Sequence, residues 1–532
     1  MGVESASLSP PVFAWAGGEP APAILPSAPL FNRLFSQLTR RNAAAPPAES
    51  AQARSAHEAA IRAWLAADLF PPYAPGSLAA DPLRLRVAGL IAAGTELEVI
   101  EPLLDALDAR GEAVDRMLRA DACLAGGAAA RAEPLLAELA WADDGIGARA
   151  AAVLAQRLMD RGDYAAARPL AERAGRLAPD CAGTQAALGF LRDFDGREGE
   201  AQAHFRRALA LRPDHALVVG QLAAQVARRD FGEALALWAL ADEINHAYPQ
   251  AHLCPVWDGR PLGGESLVIL CGYELGDIVQ LLRFAGLLRR REPVARISIL
   301  VAPPLQGLVR ATGWFESVHT GTVDCAGFDW QVTQMRLPLA LGVAGPGPLD
   351  LEPYLRLPPE QVAGAAAWLP PRLPGVKRVG LRWSGQPAIY SAKRDIAFDA
   401  LRPLFDIPRL EWVALVEQPA ALQGLGAHPL RAVCEHLTGL DATGALMHHL
   451  DLVISADTAV VHVAGALGLP VWVMTRPDPE FRWGASGEAT PWYGSVRVFH
   501  HPPREFDWDT VIGEVARALR AWAAAPAAGG GK

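Results

Sequence analysis

Two stretches in the first half of this 532-residue chain, RGDYAAARPLAERAGRLAPD (161–180) and DGREGEAQAHFRRALALRPD (195–214), superpose at an offset of 34 residues. Gly162 falls over Gly196, Ala167 over Ala201, Ala174 over Ala208 and Pro179 over Pro213. A glycine opening each unit, small residues where two helices cross closely and a proline closing the second helix describe a helix–turn–helix. Such a unit cannot bury its apolar face alone and must stack on its neighbours. The surrounding sequence, from about 51 to 250, is rich in Ala, Leu and Arg at helical spacing and nearly free of β-branched runs, which predicts an all-helical region. Segments 128–145 and 230–243 read as further copies with the register shifted. An irregular Ala-rich bundle is the alternative.

The period and its punctuation, with Leu188-Gly189 at the repeat's Leu-Gly position, resemble the tetratricopeptide repeat. Repeats of that kind present a concave face to a partner, here a protein or an acceptor, without naming it. Residues 1–50 and 523–532 are biased toward Pro, Ala, Ser and Gly without periodicity and are expected to be disordered.

After about residue 262 the texture changes. Apolar strand-like runs alternate with helical ones: SLVILC (266–271), DIVQLLRFAGLLRR (277–290), RISILV (296–301) and PLQGLVRATG (304–313). A proline-rich crossover, LDLEPYLRLPPEQ (349–361), leads to a second alternating set containing RVGLRWSG (378–385), LEWVALVEQ (410–418) and DLVISADTAVVHVAGALGLPVWVM (451–474). Alternation of this kind predicts βαβ units on parallel sheets, one half over 262–350 and another over 376–522. Ligands of such sheets bind beyond the carboxyl ends of the strands.

Composition excludes several function classes. The chain is 51% hydrophobic and 20% charged, and no run approaches the ~18 apolar residues of a membrane span. Its net charge of −9 with no cationic cluster argues against nucleic acid. The start lacks the pattern of a secretory signal, and the six scattered cysteines form no CxxC pair, so a cytoplasmic setting is expected. Lysine occurs only at 377, 393 and 532, so a phosphate site would use arginine or backbone amides.

Three strand-to-helix junctions hold polar residues that apolar packing does not require. In GYELGDIVQ (272–280), Gly276 allows a tight turn and Asp277 is either a helix N-cap or a catalytic carboxylate. In RWSGQPAIYSAKRDIAFD (382–399), Arg382, Ser384, Gly385 and Arg394 suit a phosphate or carboxylate, although Lys393 and Arg394 also fit a solvated surface. In the third, Thr458 or Asp457 is placed to cap a helix that begins at Ala459 and ends at Gly468, with His462 one turn in. That histidine reads either as a core residue or as a ligand-facing one.

The blocks 254–284, PYLRLPPE (353–360), VGLRWSGQPAIYSAKRDIAF (379–398), LDLVISADTAVVHVAGALGLPVWVM, FRW (481–483) and PWY (491–493) together resemble bacterial tetratricopeptide-repeat proteins with a C-terminal region of glycosyltransferase family nine, the heptosyltransferases. The resemblance implies a GT-B-like pair of Rossmann-type domains after the helical solenoid, the first handling the acceptor and the second a nucleotide-diphosphate-sugar donor, with no metal. It implies that Asp277 is the general base, that Arg394 neutralises donor phosphate, that the Thr458 and Ala459 amides and His462 hold the diphosphate, and that Arg482 and Trp483 border the nucleotide. Family members commonly carry Glu-Gln-Gly before Leu-Gly-Asp, where this chain has Gly272, Tyr273 and Glu274, and Gly after Asp-Thr, where it has Ala459. The expectation is a glycosyltransferase acting on a protein or surface-glycan acceptor. The alternatives are a non-catalytic repeat scaffold with a degenerate transferase region and a sugar-nucleotide epimerase.

Overall fold

The computed structural model describes residues 81–92, 95–244, 254–343, 351–385, 391–423, 428–476, 480–484, 486–502 and 507–525. The segment 1–50 expected to be disordered lies outside them, as do residues 526–532 of the tail. Among the described residues no helix is long and apolar enough to cross a membrane.

Among the described residues up to 244 every element is a helix: α1 (Pro82–Ala92), α2 (Leu97–Asp108), α3 (Ala113–Ala125), α4 (Ala129–Leu139), α5 (Gly145–Asp160), α6 (Tyr164–Leu177), α7 (Ala182–Phe194), α8 (Glu198–Leu211), α9 (Ala216–Val226) and α10 (Phe231–Ile244). Helices α6 and α8 start at 164 and 198, and α7 and α9 at 182 and 216, so the 34-residue period of the sequence is the period of the helices. Ala167, Ala174, Ala201 and Ala208, the small residues of the repeat, are fully buried, and Gly162 and Gly196 turn the chain at φ 85° and 71°.

The chain forms two compact units. The first comprises the described residues up to Leu154 together with Pro169–Leu188 and His204–His215. Ion pairs tie its helices: the buried, two-pronged pair of Arg84 with Asp115 at 2.6 and 2.9 Å, and the half-buried Arg149, one nitrogen of which meets both oxygens of Asp121 at 2.9 Å. A Cβ on Gly175 would meet Leu188 at 3.1 Å, so the leucine of the Leu-Gly pair packs where another helix carries no side chain.

The second unit comprises Ala155–Arg168, Gly189–Ala203 and the chain from Ala216 onward. It contains two parallel sheets. The first is built from β1 (Ser266–Leu270), β2 (Arg296–Leu300), β3 (Ser317–His319) and β4 (Trp330–Thr333) in the order β3-β2-β1-β4. The second uses β5 (Lys377–Arg382), β6 (Leu410–Ala414), β7 (Leu430–Arg431), β8 (Leu452–Ala456), β9 (Val471–Met474) and β10 (Val496–Phe499) in the order β10-β9-β8-β5-β6-β7. All pairings are parallel, with β1 in register Val268 to Ser298 and Gln331, and β5 in register Gly380 to Val413 and Val453. Strands β1 and β8 are buried along their whole length, which is why they read as unbroken apolar runs.

The helices α11 (Leu275–Arg291), α12 (Leu440–Met447), α13 (Ala459–Ala466) and α14 (Trp508–Ala524) cover the sheets. Strand order reverses at β1, which lies between β2 and β4, and at the β8–β5 pair. The three polar junctions noted in the sequence follow β1, β5 and β8, so all of them open at switch points, where parallel sheets leave a crevice. One apolar core joins both sheets to α9 and α10: Leu235 and Trp238 share it with Leu267, Phe284, Val453 and Trp492. A second core, with Trp412, Ile454 and Leu519, lies beneath α14.

Candidate active site

A cavity of about 650 Å³ opens at the carboxyl ends of the strands. Gly276, Asp277, Arg382, Gly385, Arg394, Asp457, Thr458, Ala459, His462 and Arg482 all line it, so residues of the three junctions and of the 481–483 turn converge. Ser384 and Trp483 do not line it. The Ser384 carbonyl accepts from Arg382 Nε at 2.5 Å, and the buried Trp483 indole donates to Asp457 Oδ2 at 2.7 Å. These two shape the site by holding a residue that lines it.

Local structure corrects two capping expectations. Helix α11 begins at Leu275 with Glu274 at its cap position, so Asp277 lies inside the first turn rather than capping it. Thr458 does occupy the cap position of α13, at φ −133° and ψ 169°, but makes no side-chain cap bond; its hydroxyl lies 3.1 Å from that of Ser455. Thr458, Ala459 and Val460, at the start of α13, line the cavity, and the cap side chain accepts from none of the helix's N–H groups. Gly468, at φ 75°, follows the end of this helix.

At the centre, Arg482 donates to Asp277 Oδ1 at 2.5 Å and approaches His462 Nε2 at 3.2 Å, while His462 Nδ1 lies 2.9 Å from the Tyr493 hydroxyl. With Arg482 able only to donate, Nε2 is the acceptor and Nδ1 carries the proton to Tyr493. His462 is 1% exposed; burial first, then Arg482 and Arg283, push its pKa well below the usual histidine value and keep it neutral. It is thus a hydrogen-bonded core histidine whose edge also lines the cavity.

Burial raises the Asp277 carboxyl, partly opposed by Arg482 and reinforced by Glu480. Asp457 is raised by burial against the pull of Arg482, and Glu274 by burial and by Asp277. Burial disfavours the charge on Arg482, but Asp277, Glu480 and Asp457 outweigh it and raise its pKa.

The cations of the second loop divide in their roles. Arg382 spends its guanidinium on Glu417 at 2.6 Å and the Leu415 carbonyl at 2.7 Å. Arg394 lies against Gly385, where a Cβ would clash with its guanidinium, and contacts Asp395 at 3.2 Å. Lys393 is not solvated: it is 4% exposed, and its ammonium donates to the Tyr164 hydroxyl at 2.7 Å and sits 5.0 Å from that ring.

Sequence reasoning missed the group that ties the halves together. Arg283, buried on α11, donates to the Trp492 carbonyl at 2.6 Å and lies 4.7, 5.3 and 5.2 Å from the rings of Tyr354, Trp492 and Tyr493. The aromatic blocks PYL and PWY were visible as motifs, but the arginine between them lies in an ordinary helical run. Among the described residues no group of three or more His, Cys, Asp or Glu is arranged to hold a metal ion.

A second cavity of about 330 Å³ shares Tyr273, Asp277, Arg476, Glu480 and Arg482 with the first and is otherwise walled by α9, α10 and α11 together with Asp193, Arg228, Met335 and Phe481. Asp277 therefore stands on the wall common to both.

Residues 425–500, which include the Asp-Thr-Ala-x-x-His block, match the family model "Glycosyltransferase family 9 (heptosyltransferase)". Residues 425–500 of this chain are thus similar to family nine glycosyltransferases, and they follow a region of helical repeats. Protein FlbA of Caulobacter vibrioides is 29% identical over 300 residues, covering 50% of this chain; the chain spans about half, 48%, of that protein's length. Among solved structures, Escherichia coli ADP-heptose lps heptosyltransferase II is similar over 48% of this chain and 98% of its own, at 14% identity and a TM-score of 0.35. A mutant O-GlcNAc transferase of Thermobaculum terrenum is similar over 82% of this chain and 94% of its own, at 15% identity and a TM-score of 0.28.

Proposed function

We propose that the protein transfers a sugar from a nucleotide-diphosphate-sugar donor to a hydroxyl of a protein or surface-glycan acceptor, without a metal, in a cytoplasmic setting. The observation that carries the reading is the position of Asp277, one carboxylate on the wall between two cavities. In this reading the larger cavity takes the donor. The amides at the start of α13 face its diphosphate, where the helix dipole favours negative charge, and Arg394 adds a cation.

The acceptor oxygen attacks the anomeric carbon while the bond from that carbon to the diphosphate oxygen breaks. The acceptor's proton passes to Asp277, and the leaving diphosphate carries the electron pair away. A carboxyl raised by burial toward the working pH suits a general base, and Arg482 orients it. The repeats over 51–250 recruit the acceptor or a partner, the half over 262–350 serves the acceptor side and the half over 376–522 the donor side.

Asp277→Asn is expected to lower transfer by about 10²- to 10⁴-fold while leaving the rise in melting temperature caused by nucleoside diphosphates intact. Transfer unchanged by this substitution would remove Asp277 from the chemistry. A chain that binds no nucleoside diphosphate or nucleotide sugar would be the non-catalytic scaffold instead.

A further inference from the structure

Lys393 and Arg394 are neighbours in the chain and serve different surroundings. Arg394 lines the larger cavity, with its Nε 3.2 Å from Asp395 Oδ1. Lys393 does not line it. Its ammonium runs instead to the start of α6, where it donates to the Tyr164 hydroxyl at 2.7 Å and lies 5.0 Å from the centre of that ring.

The receiving pocket suits a cation. Tyr164 is buried and its ring is fixed by stacking on Phe194, with centroids 3.5 Å apart and planes 8° from parallel. The Asp160 carboxyl at the end of α5 is raised by burial, against the pull of a bond from Gln156 at 2.9 Å and of the Lys393 charge. A buried ammonium is tolerated where a hydroxyl, a ring face and a carboxyl meet it together. All of these groups belong to the second unit.

We propose that Lys393 is a positioning residue: docked between Tyr164 and Asp160, it holds Arg394 at the larger cavity, so that helices α5 and α6 of the repeats complete the diphosphate site. This rests on the transferase reading above and adds a regulation to it, because whatever displaces α5 and α6 displaces the cation of the donor site. Arg394 sits between two anchors. On its carboxyl side Asp395 accepts from the Gly385 N–H at 3.0 Å and the Ile396 N–H donates to the Trp383 carbonyl at 2.9 Å, which ties the chain to the end of β5. On its amino side the anchor is Lys393, and it lies in the repeats. Successive Cα atoms stand about 3.8 Å apart, and both residues belong to one short helix, Ser391–Arg394. Pinning Lys393 at its ammonium and along its buried stem therefore restricts where the Arg394 side chain can start.

The test is the affinity of the full chain for ADP, GDP and UDP, measured by titration calorimetry. Tyr164→Phe keeps the ring, its stacking on Phe194 and the net charge, and removes only the hydroxyl that receives Lys393. It is expected to weaken the binding of whichever diphosphate the wild type takes by about tenfold, the loss when Arg394 is presented about a tenth of the time. Arg394→Met is expected to retain weakened binding through the amides of α13. In that background Tyr164→Phe is expected to cause no further loss, because the residue through which it acts is gone. A role for Tyr164 in folding alone would lower the melting temperature without this dependence on Arg394. Should Tyr164→Phe fail to fold, Lys393→Met, which keeps the buried stem and removes the charge, takes its place in the same cycle.

Equal affinity of wild type and Tyr164→Phe overturns the inference and leaves the transferase reading standing. So does the same loss from Tyr164→Phe with and without Arg394. A wild type that binds none of the three nucleotides removes the transferase reading, and the role of Lys393 with it.

Discussion

At Gly276 the first turn of α11 passes directly beside the imidazole of His462 on α13. A Cβ there would stand 2.7 Å from His462 Cδ2 and 3.0 Å from Nε2. The ring cannot swing aside, because Tyr493 and Arg482 hold its two nitrogens. The glycine is needed for close approach, not for a positive φ. Gly276→Ala is therefore expected to destabilise the protein by about 1–3 kcal/mol, the range for forced overpacking, and to disturb the Asp277–Arg482 pair that follows it. Urea unfolding measures the first effect; an unchanged midpoint would show that the two helices can separate without cost. The sequence announced the glycine as a turn former and the histidine as one of two open readings. Their contact, across 186 positions, is a property of packing that no local pattern encodes.

Among the elements, the loop from β1 to α11 departs most from the pattern the sequence resembles, and α10 supplies the physical reason. Tyr273 turns away from the strands and donates its hydroxyl to Asp242 Oδ1 on α10 at 2.5 Å. The loop thereby becomes a latch for a repeat helix. Burial pushes the Asp242 carboxyl up to about 6, against the bond from Tyr273 that favours its ionised form. A folded-state pKa above the unfolded value near 3.8 means that this group favours folding fully below about 3.8, and that the contribution is lost as pH rises through about 6. Asp242→Asn keeps an acceptor for the phenol and removes the charge. It is expected to be more stable than wild type at pH 8, by on the order of 3 kcal/mol, and no more stable at pH 3.5. Denaturation of both proteins at the two pH values checks this, and a difference independent of pH would refute it. The strands themselves were legible, because runs buried on both faces are unbroken apolar sequence, and so was the helical period. What the sequence did not reveal was which helices dock on the sheets, since α9 and α10 carry the same Ala-Leu texture as the helices before them.

Across the second unit, the boundary between the repeats and the two-sheet region disappears into a shared core. Phe231 and Trp238 of α10 meet Phe481 at centroid distances of 6.1 and 5.1 Å, and Phe231 meets Trp492 at 5.2 Å. The FRW block, whose Arg482 and Trp483 the resemblance places beside a nucleotide, and the PWY block form the seat of a repeat helix through Phe481 and Trp492. Lys393 and Tyr164 add a buried contact between the loop bearing Arg394 and the Ala155–Arg168 segment. A change of texture near residue 262 invites a cut there, yet a fragment of residues 254–525 would expose Trp492, Phe481 and Leu281 together and leave Tyr273 without Asp242. Apolar surface contiguous on that scale drives association. Residues 254–525 are therefore expected to aggregate when expressed alone, whereas residues 155–525, which keep every segment of the second unit, are expected to remain soluble and to show a single cooperative unfolding transition. Size-exclusion chromatography and calorimetry distinguish the two fragments. A soluble, cooperatively folding 254–525 fragment would show that the repeat helices rest on the two-sheet region without completing its core.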